Sequence, residues 1–209
     1  MLSIDIVSDV ICPWCFIGKR RLDQALASLP KAVQTKVAFH PFLLEPDTPP
    51  EGADLRQRLK AKYGTDPDKM FARVEEAAKS SGIALDYSKI KRTPSTLAAH
   101  TLLRHALEKG TQIALADALF EAYFLKGKDI GDVAVLSTLA AAHGFEKKDA
   151  ARLAAEPREL ARTEKEAKEM LGRGVTGVPF FVFGAKVAVS GAQSADVLRG
   201  AIAKAAAAA

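Results

Sequence analysis

The spacing of hydrophobic residues over the first 41 positions predicts a strand, a helix and a second strand. Residues 4–7, Ile-Asp-Ile-Val, are typical of a short strand. Helical spacing begins at Pro13, which fits a first turn because proline has no N–H to lose there, and ends near Leu29–Pro30. Residues 36–40 predict the second strand. The apolar face of the helix carries Cys15, Leu22, Leu26 and Leu29, whereas Lys19, Arg20 and Asp23 are expected to lie away from it.

The pattern from about residue 51 to residue 173 is helical throughout. Apolar stripes at helical spacing predict a helix that Asp66 caps, one that Thr93–Pro94 starts, and one through residues 116–124. Asp132 is expected to cap a further helix, and a last long helix is predicted from about residue 158 to 171. Stripes of this kind indicate a packed bundle and not a cofactor site.

After Gly174 the pattern changes to that of a sheet. Residues 178–183 predict an apolar strand, Gly184–Ala185 a two-residue turn, and residues 186–189 the second strand of a hairpin. Ser194 is expected to cap a final helix, and the closing alanine run, 205–209, is expected to fray.

The two ends of the chain together predict an α/β fold with the element order of thioredoxin. Strand-helix-strand at the N-terminus is completed by strand-strand-helix at the C-terminus, and a large all-helical domain is inserted between them. We place a discontinuous thioredoxin-like domain at residues 1–48 and 174–209, and the inserted helical domain at residues 49–173.

Charge and composition exclude several classes of function. The 30 basic residues are interleaved with 25 acidic ones, so the net charge of +5 fits solvated helix faces better than a nucleic-acid groove. No apolar stretch reaches the roughly 18 residues that a membrane span requires. The N-terminus shows no basic segment followed by an apolar run, so we predict no signal peptide and a cytoplasmic location.

The two cysteines of the chain carry the predicted chemistry. Cys12 and Cys15 enclose Pro13 and Trp14, and a CxxC motif beside a strand-helix-strand pattern is a sign of thioredoxin-like redox activity. A helix N-terminus stabilises a thiolate, so we predict that Cys12 is the more exposed, attacking thiol and that Cys15 resolves the mixed disulfide. Pro13 limits the freedom of the loop, and Trp14 offers a bound chain an apolar surface.

Other interpretations of these residues are weaker. A structural zinc site needs four ligands, and the chain has no third cysteine and no histidines at ligand spacing, so we predict no metal. A Cys–His hydrolase leaves Cys15 unexplained. Asp9 is interpreted as a capping or solvated residue, with a proton relay as the alternative, and His40 as a strand-end residue. Ser8 receives no role.

Val178–Pro179 is predicted to form the second part of the site. A proline in an apolar strand is expected only at its start or edge. There, the backbone groups of Val178 can pair with a substrate chain as an added strand would. The pattern alone leaves the isomer of this bond open, because few X-Pro bonds are cis.

These segments resemble the FrnE-like branch of the DsbA family of thiol–disulfide oxidoreductases. The resemblance extends over nearly the whole chain and includes segments outside the CxxC motif. Its main segments are residues 8–18, 41–52, 92–100, 122–131, 174–181 and 189–193. It implies a cis Val178–Pro179 bond and disulfide exchange with protein thiols or small thiols, without a required cofactor. The distal cysteine pair of some relatives is absent here, and with it any function that depends on that pair.

Two alternative functions remain open at this point. Kappa-class glutathione transferases and 2-hydroxychromene-2-carboxylate isomerases share the architecture but have serine at the position of Cys12. If they are a guide, glutathione is a co-substrate, with its backbone against Val178 and its far end near Gly191, Ala192 and Gln193. A holdase whose helical insert binds unfolded chains is the second alternative. The sequence leaves open the natural substrate, the direction of electron flow, and whether the protein is a monomer or a homodimer.

Overall fold

A four-stranded mixed sheet forms the centre of the thioredoxin-like part. The computed structural model describes residues 1–30 and 32–207. The strands of the sheet are β1 (Leu2–Ser8), β2 (Thr35–Pro41), β5 (Phe180–Phe183) and β6 (Val187–Ser190). The sheet has the strand order β2-β1-β5-β6, with β1 parallel to β2 and antiparallel to β5, and with β5 antiparallel to β6.

Strand β1 lies inside this sheet, between β2 and β5, and both of its faces carry buried residues. Ile4 and Ile6 are buried on one face of the strand, and Val7 is buried on the other. Helices cover both faces: α1 (Pro13–Ala27) and α9 (Ala195–Ala207) pack against one another, and α8 (Pro157–Gly172) contacts β2. A strand with both faces buried reads as a continuous apolar run, as residues 4–7 nearly do.

The inserted segment is mainly helical. Its remaining helices are α2 (Leu55–Tyr63), α3 (Asp68–Lys79), α4 (Leu97–Glu108), α5 (Gln112–Phe124), α6 (Val133–Ala141) and α7 (Lys147–Ala155). Asp132 caps α6 as predicted, since its carboxylate accepts from the N–H groups of Ala134 and Val135. One hydrophobic core runs from the sheet into the insert, and Phe16 of α1 stacks on Phe120 and Phe124 of α5 at ring-centroid distances of 5.2 and 5.8 Å.

The predicted fold class is confirmed, with corrections at several boundaries. The insert contains a short antiparallel pair, β3 (Ala53–Asp54) and β4 (Arg92–Thr93), which the helical pattern did not predict. Thr93 therefore pairs with Ala53 and does not start α4, which begins at Leu97. In the hairpin, β5 begins after Pro179, and β6 begins at Val187 because the turn covers residues 184–186.

One charged residue lies where the pattern did not place it. Lys19 was expected away from the apolar face of α1, but it is only 3% exposed. Its ammonium lies 2.8 Å from a carboxylate oxygen of Asp23 and 2.9 Å from one of Asp117, so two carboxylates compensate its burial. The interaction joins α1 to α5.

The described residues stop short of the C-terminus, which affects the predicted alanine run and the predicted end of the thioredoxin-like segment. In the alanine run, α9 continues to Ala207, and Ala208 and Ala209, which end the predicted thioredoxin-like segment, lie outside the described residues. Among residues 1–30 and 32–207, no helix combines the length and the apolar character needed to cross a membrane.

Candidate active site

The turn between β1 and α1 positions both cysteines. The N–H of Cys12 donates to the carbonyl of Asp9 at 3.0 Å, and Cys12 is the N-cap residue of α1. The carbonyl of Cys12 accepts from the N–H of Cys15 at 3.0 Å and from that of Phe16 at 3.2 Å. The first thiol thus stands at the helix N-terminus and the second lies within the first turn.

Both cysteines are buried free thiols. Cys12 is 3% exposed and Cys15 is 2% exposed, so the expectation that Cys12 is the exposed thiol is wrong. The reason is that neighbouring side chains cover Cys12, whose thiol lies in a partly open cavity that these side chains line. Cys12 lines this cavity, together with Pro13 and Trp14, whereas Cys15 does not. A ligand in the cavity therefore meets Cys12 first.

The surroundings of Cys15 disfavour its ionised form. Burial raises the pKa of the Cys15 thiol well above its usual value, and the adjacent Cys12 thiol raises it further. The Ser8 hydroxyl and the backbone N–H of Asp9 act in the opposite direction and lower this pKa. In the reduced protein Cys15 is therefore held as a protonated thiol.

The Val178–Pro179 segment lies opposite the cysteines. Its peptide bond is cis, the isomer that the resemblance implied. The thiol of Cys12 donates to the carbonyl oxygen of Val178 at 3.8 Å, so the Val178 backbone faces the reactive sulfur. Val178 lines the cavity, whereas Pro179 is buried beside Gly18 of α1.

The cavity, of about 220 Å³, lies between the two parts of the molecule. The thioredoxin-like part contributes the CxxC motif, and the insert contributes apolar and aromatic side chains that include Phe71, Tyr87 and Tyr123. Two charged lining residues form an ion pair, in which Arg58 lies 2.8 Å from a carboxylate oxygen of Glu45. Sequence reasoning missed these lining residues because helical stripes predict burial but not which cavity a side chain faces.

Residues 191–193, the predicted contacts for the far end of glutathione, form a loop outside this cavity. The N–H of Gly191 donates to the carbonyl of Pro179 at 2.8 Å, and the guanidinium of Arg21 donates to the carbonyl of Ala192 at 2.6 Å. The side chain of Gln193 donates to the carbonyl of Ser190 at 3.0 Å. The loop is held beside Pro179, but it does not line the cavity that Cys12 faces.

Asp9 is more deeply placed than the sequence suggested. It is fully buried, so the expectation of a solvated side chain is wrong. One carboxylate oxygen accepts from the N–H of Leu44 at 2.7 Å, and the other lies 3.4 Å from the N–H of Ile11 and 3.2 Å from Nε2 of His100. These hydrogen bonds compensate the burial of the carboxylate and fix the turn before Cys12.

The histidines are dispersed over the molecule. His40 at the end of β2 lies 2.8 Å from a carboxylate oxygen of Asp5, and His105 lies 2.8 Å from one of Glu159. Within residues 1–30 and 32–207, no three or more histidine, cysteine, aspartate or glutamate residues are grouped in a way that could hold a metal ion.

Comparison with known proteins shows which family model and which proteins this chain is similar to. Residues 3–203 match the DSBA-like thioredoxin domain. The chain is 31% identical to a probable DsbA oxidoreductase of Streptomyces coelicolor, whose crystal structure superposes with a TM-score of 0.90 over 99% of this chain and 91% of that one. It is 26% identical to the uncharacterised protein YwbO of Bacillus subtilis over 96% of both chains.

A more distant structural neighbour was solved with glutathione. This is the cytosolic disulfide reductase DsbM of Pseudomonas aeruginosa, which has a TM-score of 0.67 and 18% identity over 97% of this chain and 98% of that one. At this level of identity the likeness shows a shared fold.

Proposed function

The chain belongs to the family of DSBA-like thioredoxin domains, and from this membership we propose that it is a thiol–disulfide oxidoreductase in which Cys12 exchanges with substrate and Cys15 resolves. The observation that carries the proposal is the asymmetry of the pair. Cys12 faces the cavity at the start of α1, whereas Cys15 is buried behind it with a raised pKa. A substrate sulfur can approach only the first of the two.

The reaction proceeds through a mixed disulfide. In the reducing direction, the Cys12 thiolate attacks a substrate disulfide, a bond forms between Cys12 and one substrate sulfur, and the other substrate sulfur leaves as a thiolate. Cys15 then loses its proton and attacks Cys12, which releases the second substrate sulfur and leaves the Cys12–Cys15 disulfide. The oxidising direction is the reverse.

The backbone of Val178 is proposed to align the substrate. Its carbonyl lies beside the Cys12 sulfur, and the residue lies just before the start of β5. An extended substrate segment can pair with this peptide group as an added strand. Trp14 and the aromatic side chains of the insert then contact the substrate residues that flank the reacting sulfur.

Protein thiols and disulfides are the first proposed substrates, and glutathione is the second. The disulfide reductase DsbM, with the same fold, was solved with glutathione, and Val178 lines the cavity here. Calorimetric titration of Cys12→Ser with millimolar glutathione tests whether glutathione binds. Binding that a Gln193→Ala change weakens supports contacts at the loop of residues 191–193, and absence of binding contradicts a glutathione-dependent role.

Trapping of the mixed disulfide tests the proposed roles of the two cysteines. Cys15→Ser, incubated with glutathione disulfide or a disulfide-containing peptide, is expected to accumulate one covalent adduct on Cys12. Cys12→Ser is the matched control, because it keeps one buried thiol and is expected to remain free of adduct. Intact-protein mass spectrometry distinguishes the two variants. An adduct on Cys15 of the Cys12→Ser control, together with no adduct on Cys12 of Cys15→Ser, contradicts the assignment.

A further inference from the structure

The last residue of β1 carries an unsatisfied buried hydroxyl. Ser8 is 1% exposed, and its Oγ is the one buried side-chain nitrogen or oxygen without a hydrogen-bond partner in the described part of the chain. Buried polar groups in native proteins are almost always hydrogen-bonded, and an exception calls for an explanation. This exception lies four residues before Cys12, so the surroundings of the hydroxyl bear on the reacting thiols.

Strand alternation fixes the direction of the Ser8 side chain. Residues two apart on a strand share a face, so Ser8 lies on the same face as Ile4 and Ile6. Those two belong to the core cluster that contains Cys15 of α1, whereas Val7 packs on the opposite face in a separate cluster. The Ser8 side chain therefore lies on the face of β1 that packs into the cluster containing Cys15 of α1.

Two hydrogen-bond donors of this segment lower the pKa of the Cys15 thiol. They are the hydroxyl of Ser8 and the backbone N–H of Asp9, and both favour the ionised form of Cys15. The Cys12 thiol and burial act against ionisation. The carboxylate of Asp9 is not a third such group, because it is bound to Leu44, Ile11 and His100.

We propose that Ser8, assisted by the Asp9 N–H, donates to the sulfur of Cys15 whenever that sulfur carries a negative charge during disulfide exchange. The proposal rests on the proposed function, because it is dithiol–disulfide exchange that places a negative charge on the Cys15 sulfur during the reaction. When a substrate thiolate attacks Cys12 of the oxidised protein, a sulfur–sulfur bond forms at Cys12 and the Cys12–Cys15 bond breaks. The electron pair of the broken bond then remains on Cys15.

The same hydroxyl serves the reverse step. When Cys15 resolves a mixed disulfide, it must first lose its proton in a buried environment, and the donor pair lowers the cost of that charge. In the protonated thiol no charge is present, which accounts for a hydroxyl without a partner in the reduced protein. Ser8 thus acts on a reacting atom, the Cys15 sulfur, without contacting substrate.

Ser8→Ala is the first variant to test this role, and Ser137→Ala is its matched control. Ser137 is also a buried serine, but it lies in α6 and its hydroxyl donates to the carbonyl of Ala134. The first readout is the rate at which glutathione reduces the oxidised protein, followed by mass spectrometry after acid quenching. The second is the pKa of Cys15, measured from thiolate absorbance in a Cys12→Ser background.

Ser8→Ala is expected to slow reduction about tenfold and to raise the Cys15 pKa by about one unit, the effect of losing one hydrogen bond to a charged group. Alkylation of Cys12 by iodoacetamide in the reduced protein is expected to stay at the wild-type rate, and Ser137→Ala is expected to match wild type in all three measurements. A wild-type reduction rate and an unchanged Cys15 pKa in Ser8→Ala overturn the proposal while leaving the proposed function intact.

A second pair of variants separates the hydroxyl from packing. Ser8→Thr keeps the hydroxyl and Ser8→Val replaces it with a methyl group of similar size, so both impose the same steric change. A slower reduction in Ser8→Val than in Ser8→Thr supports the proposal even if Ser8→Ala does not fold, and equal rates contradict it. Failure of the wild-type protein to form a reducible Cys12–Cys15 disulfide is a separate outcome, which removes the proposed function itself.

Discussion

Gly18→Ala tests how closely α1 approaches the Val178–Pro179 segment. Gly18 lies inside α1, where an alanine is ordinarily the better residue by about 0.5–1 kcal/mol. Here, a Cβ atom at position 18 would lie 2.9 Å from Cγ of Pro179 and 3.1 Å from Cζ of Phe181. Both neighbours are buried, so neither can move freely aside.

The two effects have opposite signs, and the steric one is expected to prevail. Forcing one methyl group into a well-packed interior costs about 1–3 kcal/mol, which exceeds the gain in helix propensity. We therefore expect Gly18→Ala to lower the free energy of unfolding by about 1–2 kcal/mol. Displacement of Pro179 also moves the Val178 carbonyl from Cys12, so disulfide exchange is expected to slow.

Gly200→Ala provides the matched control. Gly200 is also inside a helix, α9, but in the described part of the chain nothing beyond the adjoining residues and the helix's own backbone lies within 4 Å of the position that its Cβ would occupy. Urea unfolding followed by circular dichroism is expected to show that Gly200→Ala is as stable as wild type or more stable. If Gly18→Ala shows the same gain as Gly200→Ala, the close packing of α1 against Pro179 is wrong.

Two further predictions concern charged residues. Lys19→Met is expected to lower the free energy of unfolding by about 1–3 kcal/mol in urea titrations, less than for a fully buried ion pair, because Asp117 retains contact with water. Exposed Lys148→Met is the control, and equal effects of the two would contradict the buried interaction. The hydrogen bond from Arg104 holds the pKa of Glu159 at about 2. The resulting stabilisation, under about 1 kcal/mol at this partly exposed site, is present above pH 4.5 and is lost as the pH falls towards 2. Glu159→Gln is expected to flatten this part of the acid-unfolding profile, and an unchanged profile would contradict the assignment.

The fold could be predicted from the sequence because its signals are local. Alternation in residues 4–7, a proline at the start of α1 and the capping Asp132 are each decided by neighbours within one turn or strand. The short β3–β4 pair could not be predicted in this way, since two residues on each strand give no periodicity and their pairing joins distant parts of the chain.

In the site, too, the features set by neighbouring residues could be predicted, and the features set by distant residues could not. The order of Cys12 and Cys15 at a helix N-terminus follows from a four-residue motif, but the exposure of Cys12 depends on side chains that the insert brings over it. Lys19 was misplaced because its compensating carboxylate on α5 is nearly 100 positions away. Ser8 was predictable in part: alternation places it on the face of Ile4 and Ile6, where a polar residue is unexpected.

The central claim is that Cys12 and Cys15 form one dithiol–disulfide couple. A redox titration of the wild-type protein tests this claim most directly. The protein is equilibrated with glutathione buffers of graded composition, quenched with an alkylating reagent under denaturing conditions, and weighed by mass spectrometry. We predict one transition between doubly alkylated and unalkylated protein that follows a two-electron dependence, with no such transition in Cys12→Ser or Cys15→Ser. Two independently modified thiols, with no intramolecular disulfide at any buffer composition, would contradict it.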